Sequence, residues 1–126
     1  MKASTREWIK KAESDYQLAV SLTRRRKVLA HDHACFHFQQ AAEKYLKARL
    51  EEADVRFLKT HDIAALIQSA ALIEPLWSAM TAAGRRLNKF AVHVRYPGDD
   101  ATAAEMRTAH ADAKLIRQEA RDALGL

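Results

Sequence analysis

Arg86 and His93 are the pair in this 126-residue chain whose types and spacing could do chemistry together. They lie in RRLNKFAVHVRYPG, residues 85–98, among two more arginines and a lysine. At about 100° per residue, helical positions seven apart return to nearly the same direction. Arg86 and His93 would share one stripe, two turns apart and about 90° from the middle of the apolar face, at the rim of a core. An arginine can grip a phosphate bidentately, and a neutral histidine can accept a hydroxyl proton near physiological pH. Together they are the minimum kit for metal-free phosphodiester cleavage. The same spacing also suits the ordinary basic flank of a helix, and the sequence leaves both readings open. Lys89, Arg95 and Tyr96 give the surface a second use. There Arg86, Lys89 and Arg95 would contact a nucleotide or an acidic partner, and Tyr96 would stack on a base.

A second constellation is HDHACFHFQQAAEKYLKARL, residues 31–50. His33 and His37 stand one turn apart, the spacing of two helical zinc ligands. No third ligand follows at a diagnostic interval, and His61 and Asp62 would join them only if the fold allowed. The expectation is no metal site and no cofactor, with His37 flanking a helix seam. Cys35 reads as buried packing. TRRRK, residues 23–27, ends a helix, where cations offset the negative end of the helix dipole and give non-specific attraction to phosphate. No glycine-rich phosphate loop, nucleophile elbow or zinc-knuckle spacing occurs.

The elements that must position these residues are helices. With three glycines, two prolines and much alanine, breakers are scarce. Apolar periodicity predicts helices over about 5–24, 31–53, 61–72, 75–95 and 101–124. The first carries Trp8, Ala12, Ala19 and Leu22 on one stripe, with Tyr16 beside it. The second sustains its three-and-four spacing from Ala34 and Phe38 through Tyr45 to Leu50. Thr60 is the expected N-cap of the short third helix. Pro75 suits the first turn of the fourth, whose apolar face would run Leu76, Met80, Ala83, Leu87, Phe90 and Val94. Pro97 disfavours helix at Tyr96, and Gly98, Asp99 and Asp100 would turn the chain and cap the last helix. The result is an all-α, up-and-down bundle of four long helices plus one short helix, a single domain over 1–126. Alanine-rich seams imply close helices, a thin core and a homodimer covering the apolar surface left over.

The bulk properties narrow the setting. Lysine and arginine outnumber aspartate and glutamate 21 to 16, a net charge of +5, which favours acidic or phosphate-bearing partners. A charged start, the lack of a long apolar run and one cysteine point to a cytoplasmic protein with no membrane segment.

The segments ACFHFQQAAEKYLKARL, THDIAALI and LNKFAVHVRYPG, with Trp8, Ala12, Asp15 and Leu22 before them, resemble the prokaryotic HEPN domain family over nearly the whole chain. The resemblance implies four main helices with an added short one, a homodimer, and association with nucleotide or RNA. It implies a partner too, a minimal nucleotidyltransferase encoded alongside, in a two-component or toxin–antitoxin pair. Many members of the wider family are metal-independent endoribonucleases, marked by an arginine, four to six residues and a histidine, with two motifs meeting across a dimer. Arg86 and His93 match at the longest permitted spacing. Leu87 stands where nuclease branches often carry a polar residue, and Arg95-Tyr96-Pro97 belongs to a branch that frequently lacks the pair. The function expected is therefore nucleotide or RNA association with a partner. The alternative is an endoribonuclease in which His93 deprotonates a ribose 2′-OH and Arg86 stabilises the phosphoryl charge.

Overall fold

The computed structural model describes residues 1–92 and 96–126, apart from the side chains of Val28 and Leu29. Five α-helices and one 3-10 helix build the molecule: α1 (Ala3–Thr23), α2 (Val28–Glu52), α3 (Ile63–Ala70), the 3-10 helix (Pro75–Met80), α4 (Thr81–Asn88) and α5 (Ala103–Ala123). No strand occurs among the described residues, so the fold is all-α.

The α2 spacing does what it predicts. Ala34, Phe38, Ala41, Ala42, Tyr45, Leu46 and Leu50 are all buried and form the spine of the core. From α1, Ala12, Tyr16 and Ala19 reach the same cluster, and from α5 come Met106, Ala109, Ala113, Ile116 and Ala120. Fully burying a side chain such as Phe38 contributes about 2–3 kcal/mol of hydrophobic stabilisation, so this spine dominates the fold.

Cross-links fix the helix directions. Glu13 and Asp15 of α1 meet Tyr45 and His37 of α2, so these two helices run antiparallel. Asp32 lies beside Ala101 and the Phe38 ring stacks on His110, so α2 and α5 run parallel. The connection 53–62 runs back along α2, bringing His61 to Glu43, and α3 then follows α2 in parallel. The helices therefore do not strictly alternate, and two of the connections, 53–62 and 89–102, are long.

The fourth element differs most from the pattern in the sequence. In place of one long helix over 75–95 there is a 3-10 helix and a two-turn α4 ending at Asn88. Leu76, expected on the apolar face, is 88% exposed, because the tighter 3-10 winding turns it away from the core. Met80, Ala83, Leu87 and Phe90 are buried as expected, while Val94 lies outside the described residues. Asn88 ends the helix by serving its neighbour. Its Oδ1 accepts from Ile63 N at 2.7 Å and its Nδ2 donates to Asp62 Oδ1 at 2.8 Å. The i to i+3 bonds of Phe90 N and Ala91 N then close the last turn.

Two caps also shift. Asp62, not Thr60, caps α3 by accepting from Ala65 N, and Thr60 Oγ1 accepts from Asp62 N just upstream. Thr102 caps α5 in a capping box with Glu105, displacing the expected role of Gly98–Asp100. Gly84 lets α4 lie close against α3: a Cβ there would meet Ile67 Cδ1 at 2.8 Å and Ala64 N at 3.2 Å.

Candidate functional site

Between α4 and α5 lies a groove of about 240 Å³, walled by Arg86, Lys89, Glu105 and Asp112 over Phe90 and Ala109. The two helices run antiparallel here, since Arg86 faces Asp112 and Lys89 faces Glu105. Arg86 Nε and Nη2 each donate to one oxygen of Asp112 at 2.9 Å. Asp112 is buried while the Arg86 side chain stays 54% exposed. The carboxylate thus fixes the plane of the guanidinium, whose remaining N–H groups form an outward edge suited to a phosphate. Hydrogen bonding to Asp112, then its charge, raises the Arg86 pKa further above its ordinary value, so the charge is permanent.

Lys89 pairs with Glu105 and sits 5.6 Å from the Phe90 ring centroid. The Lys89 ammonium, with the Thr102 backbone N–H, holds the Glu105 carboxyl below its ordinary range. The groove therefore carries two cations and two carboxylates, a balanced lining. What it offers an anion is an oriented donor edge rather than an excess of positive charge.

Tyr96 is 83% exposed. It opens a β-turn through Pro97 and Gly98, closed by Asp99 N donating to Tyr96 O at 3.0 Å. Pro97 presets the second position, and Gly98 at φ +86° takes the third, the residue order of a type II turn. The Tyr-Pro-Gly run is thus turn chemistry that leaves the phenol ring outside. His93 and Arg95 lie outside the described residues. The shared-stripe argument for Arg86 and His93 does not carry over, because α4 ends at Asn88 and Ala91 and Val92 are not helical. Of the sequence-predicted site residues, the structure brings Arg86 and Lys89 to one groove.

The histidines read as zinc candidates are engaged separately. His37 Nδ1 donates to Asp15 at 2.8 Å, and Lys44 shares that carboxylate. His61 Nδ1 donates to buried Glu43 at 2.8 Å, and Glu43 also accepts from Lys47 and Gln39. Among the described residues no group of three or more His, Cys, Asp or Glu side chains is placed to hold a metal ion. No helix among them is long and apolar enough to cross a membrane.

Sequence reasoning missed Asp112, Glu105 and Glu43. Asp112 sits between Ala109, Ala113 and Ile116 on the core face of α5. An acid at a core position in an amphipathic helix is the signal that a cation must come from elsewhere. Glu43, set among Ala42, Tyr45 and Leu46, carries the same signal.

The HEPN domain family model matches residues 5–123, nearly the whole chain. No curated protein and no solved structure gives a significant match.

Proposed function

The chain belongs to the HEPN domain family, and on that footing we propose that it binds nucleotide or RNA at the α4/α5 groove, acting with a partner nucleotidyltransferase. Membership supports the nucleotide- or RNA-related role. The observation that carries the placement is Arg86, held bidentately by buried Asp112 with its outer edge toward solvent. In this reading Arg86 takes a phosphate, Lys89 and Arg95 add charge, and Tyr96 stacks on a base. The protein is the binding half of a two-component, toxin–antitoxin-like pair in the cytoplasm. A homodimer belongs to the same proposal, supported by Leu72 and Leu76, which stand 82% and 88% exposed where the chain passes from α3 into the 3-10 helix.

Calorimetric titration with mononucleotides and short RNA, and co-purification with the neighbouring gene product, test this directly. Saturable, salt-sensitive binding without turnover is expected. No binding of nucleotide, RNA or nucleotidyltransferase would overturn it.

The oriented Arg86 favours one alternative, a metal-independent endoribonuclease. His93 would take the proton from a ribose 2′-OH, and the oxygen would attack the adjacent phosphorus. The bond to the 5′ oxygen would break as that oxygen takes a proton, relayed from the His93 imidazolium through water, leaving a 2′,3′-cyclic phosphate and a 5′-hydroxyl, with Arg86 stabilising the phosphoryl oxygens. RNA cleavage in EDTA that His93→Ala abolishes would select this reading; equal cleavage by both proteins would remove it.

A further inference from the structure

The loop between α1 and α2 carries four consecutive cations, Arg24, Arg25, Arg26 and Lys27, all exposed. Among the described residues none of the four forms an ion pair. Elsewhere Lys2, Lys44, Lys47, Arg49, Arg86, Lys89 and Arg117 are each paired with a carboxylate, and the other cations outside these pairs stand singly or in twos along the sequence. The local dipole of α1 does not account for four, since its effect fades within the last turn. This loop is thus the longest run of consecutive cations in the chain.

That loop is at the groove's end of the bundle. The helices α2 and α5 run parallel, so both begin there. Asp32 Oδ1 accepts from Ala101 N at 2.6 Å, tying the start of α2 to the residue that leads into α5. Lys27 precedes Asp32 by about one and a half turns, roughly 7 Å along the axis. Glu105, in the first turn of α5, lines the groove. The connection bearing Tyr96 leaves from buried Phe90 and returns to buried Ala101 at this same end. Only Asp99 and Asp100 add exposed acid to that connection.

We infer that the Arg24–Lys27 loop tracks the backbone of a single-stranded RNA, one nucleotide of which occupies the α4/α5 groove. The inference rests on the groove reading above and extends it from a nucleotide to a strand. A balanced groove supplies orientation but little net attraction, and an unpaired basic loop supplies attraction without orientation. A single strand can use both, because its bases are free to enter a groove and stack on an exposed ring while its phosphates follow the cations.

The test compares the wild-type chain with Arg24→Gln/Arg25→Gln/Arg26→Gln/Lys27→Gln. Each is titrated with AMP by calorimetry, and with a single-stranded RNA of about ten nucleotides by anisotropy over a range of salt. Circular dichroism checks that the variant is folded. Removing four phosphate contacts should cut the log–log salt slope by about 3. RNA affinity should fall at least tenfold near physiological salt while AMP affinity stays unchanged. Equal RNA affinity and slope in both proteins would overturn the inference. So would wild-type RNA binding no tighter than AMP binding, which would leave the groove reading standing. So would an equal loss of polyglutamate binding in the variant, which would mark a general polyanion patch. Wild type binding neither AMP nor RNA would remove the groove reading as well.

Discussion

Replacing Glu13 with glutamine should destabilise the bundle by about 2 kcal/mol, and the loss should depend on pH. Glu13 joins three helices. Arg117 Nε and Nη2 of α5 donate to its two oxygens at 2.8 Å each, and the Tyr45 hydroxyl of α2 donates to it as well. Arg117 also lies 4.7 Å from the Tyr16 ring centroid, so the guanidinium is enclosed on two sides. The paired side chains are 28% and 22% exposed, between the surface and buried cases. Breaking a buried pair costs about 3–5 kcal/mol and losing an exposed one about 0–1, so an intermediate cost of about 2 kcal/mol follows. With an unfolding entropy of about 2.1 cal/mol/K per residue, that cost lowers Tm by about 8 °C. Hydrogen bonds from Arg117, the largest cause, hold the Glu13 pKa at about 2, down from 4.5. A depressed carboxyl contributes stability above its unfolded pKa and loses it as pH falls through the folded value. The gap between wild type and Glu13→Gln should therefore be full above about pH 4.5 and close toward pH 2. Urea unfolding at several pH values measures it. Equal stabilities at pH 7, or a gap that does not narrow in acid, would refute the reasoning.

Gly84→Ala should lose about 1 kcal/mol in urea unfolding even though alanine favours helix by about that amount, because the new methyl meets Ile67 and the α3 backbone. Thr102→Ala removes half of the α5 capping box and should cost about 1 kcal/mol in the same assay. Asp112→Asn keeps the shape but sets an amide N–H against the Arg86 fork. Nucleotide binding by calorimetry should weaken about tenfold, whereas Asp112→Glu should retain more of it.

The long helices were legible because their burial is local in origin. Phe38, Ala42, Tyr45, Leu46 and Leu50 fall at steps of three and four along one face, and a core needs no more than that to choose it. The fourth element was not, because its apolar spacing continues past the point where the helix stops. Asn88 ends it for a tertiary reason, capping and bracing α3, and nothing near Asn88 in sequence announces Ile63 or Asp62. The α5 cap was written plainly as Thr102-x-x-Glu105, yet Asp99 and Asp100 upstream look like equally good caps. Arg86 and Lys89 were identifiable by type. Their carboxylates lie 26 and 16 residues away on another helix, so the pairing that orients them appears only once the bundle is assembled.

The central claim is that the outward edge of Arg86 receives a phosphate in the α4/α5 groove. NMR titration of isotope-labelled wild type and Arg86→Gln with a short single-stranded RNA addresses it most directly. Wild type should show saturable shifts at Arg86, Lys89, Thr108 and Ala109, and Arg86→Gln should bind at least tenfold more weakly. Shifts confined to surfaces away from α4 and α5, or equal affinity in the two proteins, would contradict the account.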